Sequence, residues 1–269
     1  MLKKILKLLR SLAFWKKIVP VKIPVKDYGD LFTGKTALVT GGARGIGFAI
    51  AKRLSEAGCS VIILARNEEK LKKASEQIGC KYRVLDITKV SDIKSVIADI
   101  YRESAPQILV NCAGVMGKGR FGSIEEKDWD KVINTNVRGT VFMTQEVSKM
   151  MIERKIRGHI LNLSSSSALR PCYSAYIISK HLVRDLTQGF AKELIKHGIV
   201  VNAIAPGPTA TDMIEADESD LVSLDVPAGR MATVDEIANH ALALVSEMGD
   251  MVVGSTLYVT GGSGITTCE

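Results

Sequence analysis

Tyr176 and Lys180 stand four residues apart, and a run of serines at positions 164–167 comes just before them. On a helix, positions i and i+4 share a face, so a phenol and an ammonium at this spacing sit one above the other. A phenol has a pKa near 10 and is a poor acid or base at neutral pH. A cation beside it favours the phenolate and draws that pKa toward the working range. The pair could then exchange a proton with a substrate oxygen, and a nearby serine hydroxyl could add a hydrogen bond. The same spacing also describes a tyrosine anchored beside a solvated lysine, and serines gather in turns for their own backbone bonds. The companions of these residues decide between the two.

The first companion is a glycine-rich turn about 130 residues upstream. Residues 36–40 form a short, β-branched apolar run of the kind that makes a buried parallel strand. It leads directly into Gly41, Gly42, Ala43, Arg44, Gly45, Ile46 and Gly47. A helical pattern follows, with Ile46, Ile50, Ala51 and Leu54 on one face and a stop at Gly58. Glycines where a strand becomes a helix let the backbone approach a pyrophosphate, and the helix start offers free N–H groups. The spacing is Gly-x-x-x-Gly-x-Gly, unlike the commoner Gly-x-Gly-x-x-Gly.

These residues need a scaffold. Beyond residue 33, apolar strand patterns at 36–40, 61–65, 82–85, 107–111, 158–163, 199–204 and 256–260 alternate with helical stretches. Such alternation predicts a single doubly wound α/β domain over 34–269, with a parallel sheet of about seven strands. Its ligand site should lie at the carboxyl ends of the strands, where every motif above falls.

The chain has 269 residues, 46% of them hydrophobic, enough for one large core. Its five cysteines (Cys59, Cys80, Cys112, Cys172, Cys268) are scattered and odd in number, which fits a reducing compartment and gives no disulfide frame or metal spacing. The net charge of +7 is unevenly spread. Residues 1–26 hold eight Lys and Arg and no acid, and the rest holds 28 basic against 29 acidic residues. The body is near neutral, which argues against nucleic acid as a partner. At 100° per residue, Lys3, Lys4, Lys7, Arg10 and Ser11 gather opposite Leu2, Ile5, Leu6, Leu8, Leu9 and Leu12. This predicts an amphipathic helical extension over 1–33, joined through Pro20 and Pro24, whose residues 1–19 lie on an anionic membrane surface. An arm packed on a neighbouring subunit and a misplaced start are the competing explanations. The segment is too charged to span a membrane and lacks the apolar core of a signal peptide.

Taken together, the motifs resemble the short-chain dehydrogenases/reductases over roughly residues 34–262. The 40–47 segment is similar to that family's cofactor loop. Asp86, after the third strand, matches its adenine-contacting acid. Asn111, Cys112, Ala113 and Gly114 resemble its Asn-Asn-Ala-Gly motif, with Cys112 in place of the second Asn. Asn136 matches its catalytic Asn, Pro206 and Gly207 its Pro-Gly turn, and Thr209 or Thr211 the residue reaching the nicotinamide amide. Residues 259–262 (Val-Thr-Gly-Gly) form a typical ending. The family usually places its serine about 13 residues before the tyrosine. Here the end of the fifth strand selects Ser165, only 11 residues before Tyr176, so the intervening loop is shorter and Ser164 and Ser166 stay open as alternatives.

The resemblance implies a Rossmann-fold enzyme that moves hydride between a nicotinamide and a carbonyl or secondary alcohol. Tyr176 would give the proton, Lys180 would lower its pKa and hold the ribose, Ser165 would bond the oxygen, and Asn136 would order a water. Electrostatics point to NADP: Ala65 stands where an acid would bind the 2′-hydroxyl of NAD, Arg66 follows, and Arg44 lies in the glycine loop. The family habit implies a homodimer or homotetramer in the cytoplasm, held by its extension at the inner membrane face. Residues 212–229 carry six acids and no Lys or Arg, so they form either a solvated surface helix or a lid repelling strong anions. Residues 226–230 resemble the lid end of 3-oxoacyl-carrier-protein reductases, and Lys192 matches one of their carrier-docking positions, so that activity is an alternative. A catalytically silent NADP-binding sensor or scaffold is another.

Overall fold

Seven parallel strands form one sheet in the order β3-β2-β1-β4-β5-β6-β7. The computed structural model describes residues 29, 31–214 and 221–265. The 1–19 helix, the hinge at Pro20 and Pro24, four of the six acids of 212–229 and Cys268 lie outside them. The strands are β1 (Thr36–Thr40), β2 (Ser60–Ala65), β3 (Lys81–Val84), β4 (Ile108–Asn111), β5 (Gly158–Leu163), β6 (Ile199–Pro206) and β7 (Thr256–Val259). Helices α1 (Gly45–Glu56), α2 (Glu68–Ile78) and α3 (Val90–Glu103) follow the first three. Helices α4 (Glu126–Ile133) and α5 (Thr140–Glu153) lie between β4 and β5, joined by a π-helical turn (Asn134–Gly139). Helix α6 (Ala175–Leu194) follows β5, and α7 (Val234–Leu244) precedes β7. Each strand agrees with its sequence pattern to within about two residues.

The layers follow from the pleat, which sends successive side chains to opposite faces. On one face Val39, Ile63, Val110 and Leu161 pack with Ile50 and Leu54 of α1 and Ile237 and Ala241 of α7. On the other, Leu38, Ile62, Leu109 and Ile160 pack with Ile93 and Ile97 of α3 and Met143 and Val147 of α5. With both faces covered, the strands are apolar throughout, as parallel strands must be. The order reverses between β1 and β4, so their carboxyl ends splay apart and open a crevice. No helix among the described residues is long and apolar enough to cross a membrane.

Candidate active site

The glycine turn sits on that crevice. Gly41 and Gly45 adopt φ of +69° and +55°, which side-chain-bearing residues rarely reach. A Cβ on Gly41 would lie 2.9 Å from Ala113 Cα, and one on Gly47 would collide with the Gly41 carbonyl. The loop is therefore as close to the β4 turn, and to the helix behind it, as backbone permits. Thr40 fastens that approach: its Oγ1 accepts from the backbone N–H groups of Cys112 and Ala113, both at 3.1 Å. Helix α1 begins at Gly45 with no side-chain cap and no acid in its first turn. Three other helices carry side-chain caps, Ser174 serving α6. Asn67 caps α2, and Thr233 and Glu236 form a capping box on α7. An open, uncapped helix start beneath a glycine cradle suits an anion such as a pyrophosphate.

Two cavities meet at this turn and share Gly41, Arg44, Ala113 and Gly114. The smaller, of about 270 Å³, is walled by Ala65, Arg66, Asn67, Lys70 and Asp86. Asp86 Oδ1 is held by the N–H and hydroxyl of Thr88 at 3.0 and 2.8 Å. Arg66 and Lys70 are exposed, with no carboxylate partner among the described residues. Arg44 is paired only loosely, 3.9 Å from Asp212, with both side chains largely in solvent. The larger cavity, of about 570 Å³, runs past Ile46 and Gly47 to Pro206, Gly207, Thr209 and Thr211 on one side and to Ser165, Tyr176 and Lys180 on the other.

Helix α6 begins at Ala175, capped by Ser174, so Tyr176 and Lys180 fall on successive turns of one face. Lys180 Nζ lies 5.7 Å from the Tyr176 ring centroid and donates to the Leu163 carbonyl at 2.8 Å. The three candidate serines separate. Ser164 Oγ is turned inward and donates to the Lys180 carbonyl at 2.9 Å. Ser166 is buried at the start of a short 3-10 turn (Ser166–Leu169). All three line the cavity, but Ser165 is the one hydrogen-bonded to the Tyr176 hydroxyl. The shortened loop thus keeps Ser165 beside the phenol through the compact 3-10 turn. Asn136 occupies the π-turn, where its side chain accepts from Val115 N–H at 2.8 Å and donates to the Val115 carbonyl and to Ser179 Oγ, both at 3.0 Å. It flanks Gly114 opposite Lys180, since a Cβ on Gly114 would lie 3.4 Å from Asn136 Oδ1 and 3.7 Å from Lys180 Nζ.

Two expectations are corrected. The sequence assigned Lys180 the task of lowering the phenol's pKa. Instead, burial pushes Tyr176 above its usual value, with only the Ser165 hydrogen bond opposing it. Burial also draws Lys180 down to about 8. Desolvation dominates at both groups, because burial disfavours the charged form of each. The second correction is Asn111, expected at the cofactor. Its side chain lies within the core, donating to Thr144 Oγ1 at 3.0 Å and Asn162 Oδ1 at 2.9 Å. It ties β4 to β5 and α5, and takes no part in either cavity wall. Cys112, the next residue, does line the larger cavity, and burial pushes its thiol up to about 12.

Residues 41–264 match the family model described as Enoyl-(Acyl carrier protein) reductase. Gluconate 5-dehydrogenase of Gluconobacter oxydans (strain 621H) is 38% identical over 251 residues, which are 88% of this chain and 98% of that protein. The chain belongs to the short-chain dehydrogenases/reductases. A 3-oxoacyl-[acyl-carrier-protein] reductase of Aquifex aeolicus (strain VF5) is 34% identical over 241 residues, 85% of this chain and 97% of that one. The crystal structure of a gluconate 5-dehydrogenase from Burkholderia cenocepacia J2315, in complex with NADP and tartrate, superposes with a TM-score of 0.82 at 32% identity. The match covers 88% of this chain and 99% of that one. As a short-chain dehydrogenase/reductase, the protein is an oxidoreductase acting on CH–OH and C=O groups.

Sequence reasoning included Thr40 in the loop without its fastening role, and missed Lys70. Thr40 had a legible signal, a hydroxyl at the last strand position before the glycines. Lys70 had none, because it reaches the Arg66 cavity only through the first turn of α2.

Proposed function

We propose that this short-chain dehydrogenase/reductase is an NADP(H)-dependent enzyme that interconverts a carbonyl and a secondary alcohol, with Tyr176 as proton donor. The carrying observation is that Ser165, Tyr176 and Lys180 share one wall of a cavity that opens at the glycine turn. The cradle that a Cβ would fill, and the uncapped start of α1, fit the pyrophosphate of a dinucleotide. When bound, the nicotinamide supplies or accepts the hydride.

The rest is the work of the chain. A carbonyl oxygen gains negative charge as hydride arrives and needs donors already in place. Ser165 and Tyr176 are such donors, hydrogen-bonded to each other. A phenol held protonated by burial is in the correct state to give its proton at neutral pH, which suits the reductive direction. Lys180 is fixed by Leu163 near the ring, placed to hold a ribose hydroxyl. Asn136 shapes the loop at 114–115 and links through Ser179 to the backbone of Tyr176. Arg66, Lys70 and Arg44, with Ala65 where an acid would repel phosphate, favour NADP over NAD, and the Burkholderia relative was solved with NADP.

The 3-oxoacyl-carrier-protein reductase reading keeps the support of the Aquifex relative. A silent sensor is disfavoured by the intact set of Asn136, Ser165, Tyr176 and Lys180. We further assign residues 34–269 to the catalytic domain and residues 1–33 to an extension that docks on an anionic membrane surface. We also propose a cytoplasmic homodimer or homotetramer. These assignments rest on sequence pattern and family habit.

The test is a panel of sugar acids, simple ketones, steroids and 3-oxoacyl thioesters with NADPH or NADP⁺, read at the nicotinamide absorbance. Tyr176→Phe should keep coenzyme affinity and lose about 10²–10⁴-fold in turnover, the usual share of a positioned acid. Turnover within about threefold of wild type, on the principle that a true acid contributes far more, would remove Tyr176 from the role.

A further inference from the structure

The larger cavity carries a charge that hydride and proton transfer leave unused. Arg170 lies in the middle of the shortened loop between β5 and α6, directly after the 3-10 turn. It lines the larger cavity with Ser165, Ser167 and Tyr176, and has no part in the smaller one beside Arg66. It therefore stands at the substrate end, away from the adenosine side.

The other cations of that cavity are placed elsewhere. Arg44 lies at the glycine turn facing Asp212, and Lys180 is buried on the Leu163 carbonyl. Arg170 Nη2 donates to Ser263 Oγ at 3.0 Å, and no carboxylate pairs with it among the described residues. A guanidinium carries five N–H groups, so most of its donor capacity remains for a ligand.

Its support is firm. The Arg170 N–H donates to the Ser167 carbonyl at 3.1 Å, and its own carbonyl contacts His181 Nε2 at 2.8 Å. Arg184 of α6 donates to the Ala168 carbonyl at 2.9 Å. The loop backbone is thus pinned to the helix that carries Tyr176, and the exposed Arg170 side chain is directed by its bond to Ser263. A planar guanidinium fork suits a carboxylate, which it can bind through two parallel hydrogen bonds.

We infer that Arg170 is a specificity residue that holds the carboxylate of a hydroxy-acid or oxo-acid substrate, with the reacting carbon elsewhere on the same chain at Ser165 and Tyr176. The inference rests on the oxidoreductase reading above and names its substrate class. A neutral ketone or thioester would leave the guanidinium without its anion. Of the acids of 212–229, Asp212 lines the same cavity but lies near Arg44, Asp225 is exposed, and the other four lie outside the described residues.

The experiment uses the full-length protein loaded with NADP⁺. Binding of aldonic acids, and of the neutral alditols with the same carbon number, is measured by calorimetry beside initial rates of coenzyme reduction. Wild type should bind an acid about 10- to 100-fold tighter than its alditol, the range expected of hydrogen bonds to a charged group. Arg170→Met should erase that difference with NADP⁺ affinity unchanged, which also shows that the fold is intact. Arg170→Lys should restore part of it, as a point charge without the fork. Equal binding of acid and alditol by wild type, failure of every acid to bind, or an acid preference that survives in Arg170→Met overturns the assignment. Turnover without acid preference would leave the redox reading standing alone. Arg170-dependent acid binding with no turnover on any substrate would remove the redox reading and leave the carboxylate site.

Discussion

Lys180 should make the protein less stable than it could be, and removing it should show this. Its side chain is only 7% exposed, and burial takes its pKa from 10.5 to about 8. At about 1.4 kcal/mol for each tenfold change in proton affinity, keeping this ammonium charged in the folded state costs about 3 kcal/mol at neutral pH. The sign follows from proton counting. Between about 8 and 10.5 the unfolded chain binds the proton and the folded chain does not, so stability rises with pH across that window. Below about 8 both states are charged and the full cost applies. Lys180→Met removes the charge and keeps the stem. It also deletes the bond to the Leu163 carbonyl, which offsets about 1 kcal/mol. The variant should therefore be more stable than wild type by about 2 kcal/mol at pH 7, and by nothing, or slightly the reverse, above pH 10. Urea unfolding of both proteins without coenzyme, repeated across that pH range, measures it. A variant less stable at pH 7, or a difference that does not change with pH, would refute the reasoning.

Other expectations follow from the same geometry. Ala65→Asp with Arg66→Ala places a carboxylate at the ribose end of the smaller cavity and removes one guanidinium, so the kcat/KM ratio of NADPH to NADH should fall and invert. A native preference for NADH would contradict the phosphate pocket. Gly47→Ala drives a methyl into the Gly41 carbonyl, so coenzyme affinity should fall more than tenfold, and overpacking should cost about 1–3 kcal/mol, seen by titration and melting. Asn111→Ser loses the bonds to Thr144 and Asn162 and should cost about 1–3 kcal/mol. Coenzyme affinity should stay unchanged in it, and a large loss of affinity would return Asn111 to the cofactor.

The fold was legible because parallel strands buried on both faces leave continuous apolar runs, and β5 and β6 can hardly be read otherwise. The glycine turn was legible because steric need for glycine is local: Gly41 and Gly47 meet backbone, whatever the rest of the chain does. The site's electrostatics were not legible. Spacing put Lys180 beside Tyr176, but it carries no information on burial, and burial reverses the expected sign at the phenol. Asn111 failed for a related reason. A motif position fixes where a residue falls along the chain, while which side of a strand end it faces depends on the pleat and on partners such as Thr144, 33 residues away. Ser165 could be separated from Ser164 and Ser166 only by their partners, since the three are equivalent in type.

These features share a cause. Burial along the wall that carries Tyr176, Ser165 and Lys180 raises a phenol's pKa, lowers an ammonium's and holds the Cys112 thiol protonated. Beneath it, Asn111 Oδ1 is buried with no hydrogen-bond partner among the described residues. Each of these is a cost that an apolar core would not carry, and each lies at or just under the cavity. The same burial strengthens donors aimed at a developing oxyanion, because less water screens their field. A substitution that relieves the strain at Lys180 should therefore trade catalysis for stability. A cleft that remained both stable and active without that ammonium would mean that its burial serves the fold and not the chemistry.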